Sequence, residues 1–440
     1  MWAEPSPSPS PPPKSFPEGL VIGLAVVVAA ILVLGGLFAW TRFGSNESTE
    51  TAAEGPAATS STALPTTDST AGSVSDRGAA AEQEADDVIP DSETPAFSNA
   101  PCPGDVPEEV CRAAAFVENF RGKPFKEFPT VELVTDDDFG ERILRDFEDA
   151  RDELDITTEM WRSLGFIDPA VNLADALATS YEVGVVGVYF TDTKELYVQG
   201  TELNLYAELV IVHELAHAHD DQWLNLDRPE FEEVDDEVGY GFSAVVEGNA
   251  SRVEAAWRAG LSAGQQEELG ALELGLLSPE DIEVYLSLPR LLLLFQISPY
   301  QDGEVFIEAV AARGGEDAVN EAFANPPRTS EQVLHPELYA AGHQLIEVAP
   351  PPAEGDIIDE GLVGELAFDL WFSDQAGDGW GGDYYVSWRT DSGACTRIDV
   401  VGDTELDTDE LFDAADLWAR EAQGRSVERV DGLVRITGCY

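Results

Sequence analysis

The chain has 440 residues, enough for one large folded domain or two smaller ones together with tails. It carries 85 acidic residues against 24 basic ones, a formal net charge of −61, and this excess excludes nucleic acid as a partner because phosphates would be repelled. We expect the folded region to be acidic too, which is typical of adaptation to high salt or, alternatively, of a surface that attracts cations or basic substrates.

Composition divides the first hundred residues into three segments. Residues 1–19 are rich in Pro and Ser and predict a tail with no core. Residues 20–41 predict an uncleaved transmembrane helix, because the stretch from Leu20 to Trp40 has no charged residue and would span about 31 Å as a helix. Residues 42–100 are rich in Ser, Thr, Ala, Glu and Asp and predict a disordered acidic linker.

The four cysteines all follow the apolar segment, and none belongs to a Cys-x-x-Cys pair. This spacing argues against zinc ligation by thiolates and favours disulfides in an oxidising space. Of three possible pairings we prefer Cys102–Cys111 and Cys395–Cys439, which join neighbours in sequence or in a terminal sheet. The expected protein is therefore single-pass in the plasma membrane, with a cytoplasmic N-terminus and an extracellular C-terminal region.

The folded region is expected to consist of a larger unit over 101–350 and a smaller one over 351–440. In the larger unit two β-rich runs, Val185–Phe190 and Glu195–Val198, surround a polar four-residue turn and predict a hairpin. Its edge strand could hold an extended peptide by main-chain pairing, or could be an ordinary sheet edge. The smaller unit alternates strand-like runs with one helix, so the predicted fold class is α+β.

The strongest chemical signal is a His-Glu-x-x-His motif at 213–217, inside an apolar helical run that follows the hairpin. At about 100° per residue, His217 lies about 40° round the helix from His213 and one turn away, so both imidazoles fit corners of a zinc tetrahedron. Glu214 flanks that face and could take a proton from a metal-bound water. We interpret the two histidines as Zn²⁺ ligands and Glu214 as the general base.

A third zinc ligand is expected further along the chain. The metzincin pattern requires Gly at 220 and His or Asp at 223, whereas this chain has Asp220 and Trp223, so that class is excluded. The better candidate is Glu247, because a carboxylate among Val and Ala is costly unless it is paired or bound to metal. Gly248 beside it lets another backbone approach closely. The alternative is an ordinary exposed Glu.

Four further polar residues bear on the site. Asp220 lies within about 20° of His213 on the helical wheel and either orients a ligand imidazole or is simply a polar residue at the helix end. His219 points about 120° away from the zinc face and is expected to take no part. His335 or Tyr339 could donate a hydrogen bond to the developing oxyanion, or could be structural.

Three motifs together resemble those of membrane-anchored, gluzincin-like surface proteins of actinobacteria and haloarchaea. They are His-Glu-Leu-Ala-His-Ala at 213–218 with Asp-Gln at 221–222, Val-Glu-Gly-Asn-Ala at 246–250, and Ser-Glu-Gln-Val-Leu-His-Pro at 330–336. The resemblance covers about residue 120 to the C-terminus and implies a zincin-type core with His213, His217 and Glu247 as zinc ligands and Glu214 as base. Well-studied gluzincins continue with Asn-x-x-Ala-Asp after the third ligand, whereas this chain continues with Gly-Asn-Ala-Ser.

These observations predict a membrane-anchored, extracellular zinc metallopeptidase that hydrolyses peptide bonds with metal-activated water and a Glu general base. Its expected partners are a peptide or protein substrate and the lipid bilayer, and no nucleic acid. The alternative is a non-catalytic metal-binding surface protein that binds an envelope or protein partner. The intact Glu214 favours the peptidase, because a binding module has no use for a base.

Overall fold

The computed structural model describes residues 103–104, 106–143, 147–232, 236–276, 278–372 and 376–440, together with Leu24–Ala25. The predicted tail, membrane helix and linker therefore lie outside the described residues, except for Leu24–Ala25, which forms a two-residue strand where the sequence predicts the membrane helix. Among the described helices, none combines the length and apolar character that a bilayer crossing requires.

The described part of the chain is an α+β protein in which helices predominate. Its helices are α1 (Glu108–Arg121), α2 (Asp136–Ile143), α3 (Phe147–Leu164), α4 (Leu173–Gly184), α5 (Leu205–Leu224), α6 (Pro229–Glu232), α7 (Asp236–Ala259), α8 (Ala263–Leu274), α9 (Pro279–Ser287), α10 (Arg290–Ala324), α11 (Ser330–Leu334), α12 (Pro336–Ala341), α13 (Glu365–Phe372) and α14 (Glu405–Glu421). Its strands are β1 (Leu24–Ala25), β2 (Thr130–Val134), β3 (Gly187–Tyr189), β4 (Glu195–Gln199), β5 (Asp356–Gly361), β6 (Trp380–Thr390), β7 (Gly393–Gly402), β8 (Arg425–Val430) and β9 (Leu433–Cys439).

The first sheet has the order β1-β3-β4-β2. Strands β3 and β4 pair antiparallel around a turn in which Lys194 has a positive φ, so the hairpin predicted from the sequence is confirmed. Strand β2 pairs with β4 in parallel, and β1 pairs antiparallel with the outer side of β3. A short connection joins the end of β4 to the start of α5. Strands β3 and β4 both pack against that helix.

Helix α5 is enclosed on all sides, since every residue from Tyr206 to Asp221 is buried. A helix that is apolar all round belongs inside a core, and α5 packs against β3, β4, α1, α7 and α8. Its N-terminus is fixed by the Asn204 side chain, which accepts a hydrogen bond of 2.9 Å from the Ala207 amide. The polar side chains between Tyr206 and Asp221 are therefore buried as well.

Helices α7 and α10 pack with their backbones in contact at two glycines. A Cβ atom added to Gly248 would lie 2.2 Å from the carbonyl carbon of Gly303, and one added to Gly303 would lie 2.3 Å from the carbonyl oxygen of Ala244. The expectation that Gly248 admits a second backbone is therefore confirmed, and α10 supplies that backbone. This contact brings residues near the middle of α10 against the helix that carries Glu247.

The second sheet is antiparallel, with the order β5-β6-β7-β9-β8. The predicted Cys395–Cys439 disulfide is present and joins directly opposed residues of β7 and β9. Cys111 is disulfide-bonded as well, and its predicted partner Cys102 lies outside the described residues.

The second sheet shares its hydrophobic cluster with helix α3. Met160 and Leu164 of that helix belong to the same buried cluster as side chains of β6, β7, β9 and α14. The Trp418 indole also donates a hydrogen bond of 3.1 Å to the Leu164 carbonyl. A boundary at residue 351 therefore passes through one core rather than between two.

Candidate metal centre

Three side chains predicted as metal ligands lie together in the interior. The Nε2 atoms of His213 and His217 are each 3.3 Å from Oε2 of Glu247. All three side chains are almost fully buried, and their ligand atoms lie within 4.8 Å of one another. The arrangement follows from two helices, because α5 places both imidazoles on one face and α7 crosses that face at Glu247. The three residues could hold a single metal ion.

One carboxylate orients the first of these imidazoles. Nδ1 of His213 lies 3.0 Å from Oε2 of Glu254, which leaves Nε2 directed at Glu247. Burial by itself lowers the pKa of His213, but hydrogen bonds with the two glutamates raise it to about 10. Glu254 follows Glu247 by two helical turns on the same face of α7, a spacing from which it could have been predicted.

The pKa values of His217 and Glu247 are both lowered, which favours a neutral imidazole and an ionised carboxylate. Burial is the main cause that lowers the pKa of His217. Burial by itself raises the pKa of Glu247, but the neighbouring His217 and His213 bring it below its usual value. A neutral imidazole and an ionised carboxylate are the forms that ligate a metal. Nδ1 of His217 has no hydrogen-bond partner among the described residues.

Glu214 lies beside the three ligands, under strand β3. Its side chain is fully buried, and a Cβ atom added to Gly187 of β3 would lie 2.9 Å from Oε1 of Glu214. The absence of a side chain at position 187 therefore leaves room for the carboxylate between the strand and helix α5. The predicted base and the predicted peptide-binding hairpin are thus in contact.

Two tyrosines that were not predicted also border the site. The Tyr300 ring of α10 stacks on the His213 ring, with 6.0 Å between centroids, and its hydroxyl donates a hydrogen bond to Glu247. Burial and the negative charge of Glu247 raise the pKa of Tyr300 well above its usual value, and the same two causes raise the pKa of Tyr181. No local pattern distinguishes Tyr300, because only the packing of α10 on α7 brings it here.

Asp220 makes other contacts than the one expected of it. It accepts hydrogen bonds from the Arg121 guanidinium at 2.9 Å and from the Asn249 side chain at 2.5 Å, and so ties α5 to α1 and α7. Neither ligand imidazole hydrogen-bonds to it, although its charge raises the pKa of His217. His219 points to the Lys123 carbonyl at 3.0 Å, away from the three ligands, as the helical wheel predicts.

His335 and Tyr339 lie elsewhere in the molecule. Nε2 of His335 is 2.9 Å from Oε1 of Glu365, and the Tyr339 hydroxyl donates a hydrogen bond of 2.7 Å to the Asn325 carbonyl. Among the contacts of the described residues, neither side chain reaches the three ligands. The structure brings Tyr300 to the position next to the ligands that these two residues were expected to occupy.

The site thus offers three metal-ligand atoms, one buried carboxylate beside them and one buried phenol. The chain matches no protein-family model, no curated protein and no solved structure. What the site can do chemically therefore has to follow from its own residues and their distances.

Proposed function

We propose that this protein is a zinc-dependent peptidase with a zincin-type core. The observation that carries the proposal is the buried set of His213, His217 and Glu247, with the buried Glu214 next to His213 in the chain and, like Glu247, close enough to Tyr300 to raise its pKa. Two imidazoles and one carboxylate form a known catalytic zinc set, which leaves the fourth coordination position open. When bound, zinc would lower the pKa of a water molecule to about 7 and so supply a nucleophile near neutral pH.

Residues of the chain itself would orient the ligands and transfer the proton. Glu254 holds the His213 ring so that its Nε2 faces inward. Glu214 accepts the proton of the attacking water and passes it to the leaving amine, which is the part of a general base and then a general acid. Its position under β3 keeps it within reach of a peptide laid along that strand.

We assign the stabilisation of the oxyanion to Tyr300 in place of His335 or Tyr339. A hydroxyl can donate a hydrogen bond to a developing negative charge only while it keeps its proton. The raised pKa of Tyr300 keeps the phenol protonated throughout the neutral range. The contact between its hydroxyl and Glu247 supports the assignment, because it puts the donor beside the ligand set.

The proposed substrate is an extended peptide or protein chain paired with β3. Support comes from Leu24–Ala25, which pairs antiparallel with Val188 and Tyr189 on the outer side of that strand. Main-chain pairing of this kind gives affinity with little dependence on sequence. We further propose that the folded region lies outside the cell, where its disulfides would be stable.

Replacement of the base tests this function. Glu214→Gln should bind zinc as the unchanged chain does and lose about 10²–10⁴-fold in hydrolysis of an unfolded protein substrate, because only proton transfer is removed. Zinc content and cleavage rate are measured on the same preparations, with the exposed Glu202→Gln as a matched control. Unchanged turnover in Glu214→Gln would exclude this base. Absence of cleavage by the zinc-loaded unchanged chain at any salt concentration would favour the binding protein instead.

A further inference from the structure

A second group of metal-ligating side chains lies at helix α13. It consists of Glu365 and Asp369 of α13 with Asp378 from the segment after that helix, and one carboxylate oxygen from each lies within 4.8 Å of the others. Glu365 and Asp369 are buried and Asp378 is exposed. We propose that these three residues form a binding site for a divalent cation, Ca²⁺, separate from the candidate metal centre.

Local structure explains why three carboxylates meet here. Glu365 and Asp369 are four residues apart and so lie on one face of α13. The chain then folds back onto that face, since a Cβ atom added to Gly377 would lie 1.8 Å from Oδ1 of Asp369. This close approach, which requires glycine, delivers Asp378 to the same point.

Charge indicates that the group needs a cation. Burial of a carboxylate is costly unless a positive group compensates it. Among the contacts of Glu365, His335 occupies Oε1, whereas the buried Oε2 has no hydrogen-bond partner in the described part of the chain. The ion pair with His335 balances part of the negative charge of the group, whereas Asp378 and Asp403 add to it. A divalent ion would reduce the repulsion among the carboxylates and would give Oε2 of Glu365 a partner.

The donor atoms favour Ca²⁺ over the ion of the candidate metal centre. All three ligands are carboxylate oxygens, which suit Ca²⁺, whereas imidazoles suit zinc. Ca²⁺ takes six to eight oxygens in flexible geometry, and the exposed side of the group at Asp378 leaves room for waters to complete that number. Mg²⁺ demands a near-ideal octahedron and gives up its waters reluctantly.

Such an ion would stabilise the contact between helices α13 and α7. Glu237 of α7 accepts hydrogen bonds from the amide and the hydroxyl of Ser330, at 2.6 and 2.8 Å. The Ser330 hydroxyl in turn accepts the Leu366 amide at 3.1 Å, next to Glu365. Because α7 also carries Glu247, Ca²⁺ at α13 is expected to raise the temperature at which the whole described body unfolds.

The experiment titrates Ca²⁺ into the chelator-stripped and zinc-reloaded full-length chain, in molar NaCl so that non-specific attraction to the acidic surface is screened. Calorimetry should give one saturable Ca²⁺ per chain, and the midpoint of thermal unfolding should rise with Ca²⁺ concentration. Asp369→Asn should abolish saturable binding. Asp378→Asn, an exposed change that leaves the fold intact, should weaken it by about tenfold or more.

The matched control is Glu410→Gln, which removes one exposed charge from α14 of the same unit and should bind Ca²⁺ as the unchanged chain does. The proposal is overturned if the unchanged chain shows no saturable Ca²⁺ binding, or if Asp369→Asn and Asp378→Asn both bind normally. It is also overturned if binding is lost with His343→Ala instead, which would place the ion at the neighbouring Glu331, His343 and Asp403. None of these outcomes depends on peptidase activity.

Discussion

A hydrogen bond between Glu254 and His213 decides which imidazole nitrogen faces the other ligands. Without it the ring could rotate or present the other tautomer, and Nε2 would no longer be directed at Glu247. Burial strengthens the effect, because few waters are available to replace the carboxylate. The affinity for a metal should therefore depend on a residue that does not touch it.

Glu254→Gln should lower zinc affinity by about 10–100-fold, since an amide orients the imidazole less well than a carboxylate and leaves it less basic. The measurement is a competition titration against a chelator of known affinity. Glu268→Gln, an exposed change on α8, is the control and should leave the affinity unchanged. Equal affinities for the two variants would contradict the orienting role.

The residues of the site were predictable where one helical turn sets their geometry. His213, Glu214 and His217 fall into place because about 100° per residue fixes their relative directions, and Glu247 because a carboxylate is conspicuous in an apolar run. Tyr300 was not predictable, since its place depends on how α10 crosses α7. The sequence has no local signal for such a crossing.

At the scale of elements, the contact between α7 and α10 holds the helix that carries Glu247 against the helix that carries Tyr300. Gly248 follows Glu247 directly, and Gly303 lies one turn beyond Tyr300, so the two backbones touch beside the ligand and beside the phenol. Any side chain at either glycine would push the helices apart. The approach at Gly248 was predictable from the sequence, whereas its partner helix was not, because no local pattern marks the helix that crosses α7.

Gly303→Ala should destabilise the fold by about 1–3 kcal/mol, since its Cβ atom would meet the Ala244 carbonyl oxygen at 2.3 Å. Gly270→Ala in α8 is the matched control, because no atom lies within 4 Å of its added Cβ, and it should stabilise by about 0.5–1 kcal/mol. Urea unfolding of the two variants measures both changes. Effects of the same sign would contradict the proposed close contact.

At the scale of the whole molecule, the acidic composition extends into the interior. Asp383 is fully buried and accepts hydrogen bonds from the Val363 and Gly364 amides and from the Trp380 indole. Burial outweighs these three donors and raises its pKa to about 6, from 3.8. The folded state therefore binds a proton more readily than the unfolded state, and this part of the stability is lost as pH rises through about 6.

Acidification from pH 7 to pH 4 should accordingly add about 2 kcal/mol to the free energy of unfolding through Asp383 alone. Unfolding free energies at several pH values, in high salt to screen general repulsion, give the slope. Asp383→Asn should show a flatter slope than the unchanged chain, because the variant has no proton to bind at this position. Identical slopes would contradict the raised pKa.

The α+β class and the hairpin were predictable from local patterns, and the Cys395–Cys439 pairing was predictable from the strand-like runs of a terminal sheet. The shared core of α3 and the second sheet was not. Met160 and Leu164 fit an ordinary amphipathic helix, and nothing in their spacing indicates that residues of β6, β7 and α14 cover them. Partners so far apart in sequence leave no periodic signal.

This shared core has a consequence for biosynthesis. Trp418, which caps the end of α3, lies 254 positions after Leu164. At about 5–20 residues per second, a ribosome needs roughly 10–50 s to make that stretch. Throughout this interval the apolar face of α3 lacks its cover, so the nascent chain is open to aggregation until β6, β7, β9 and α14 have been made.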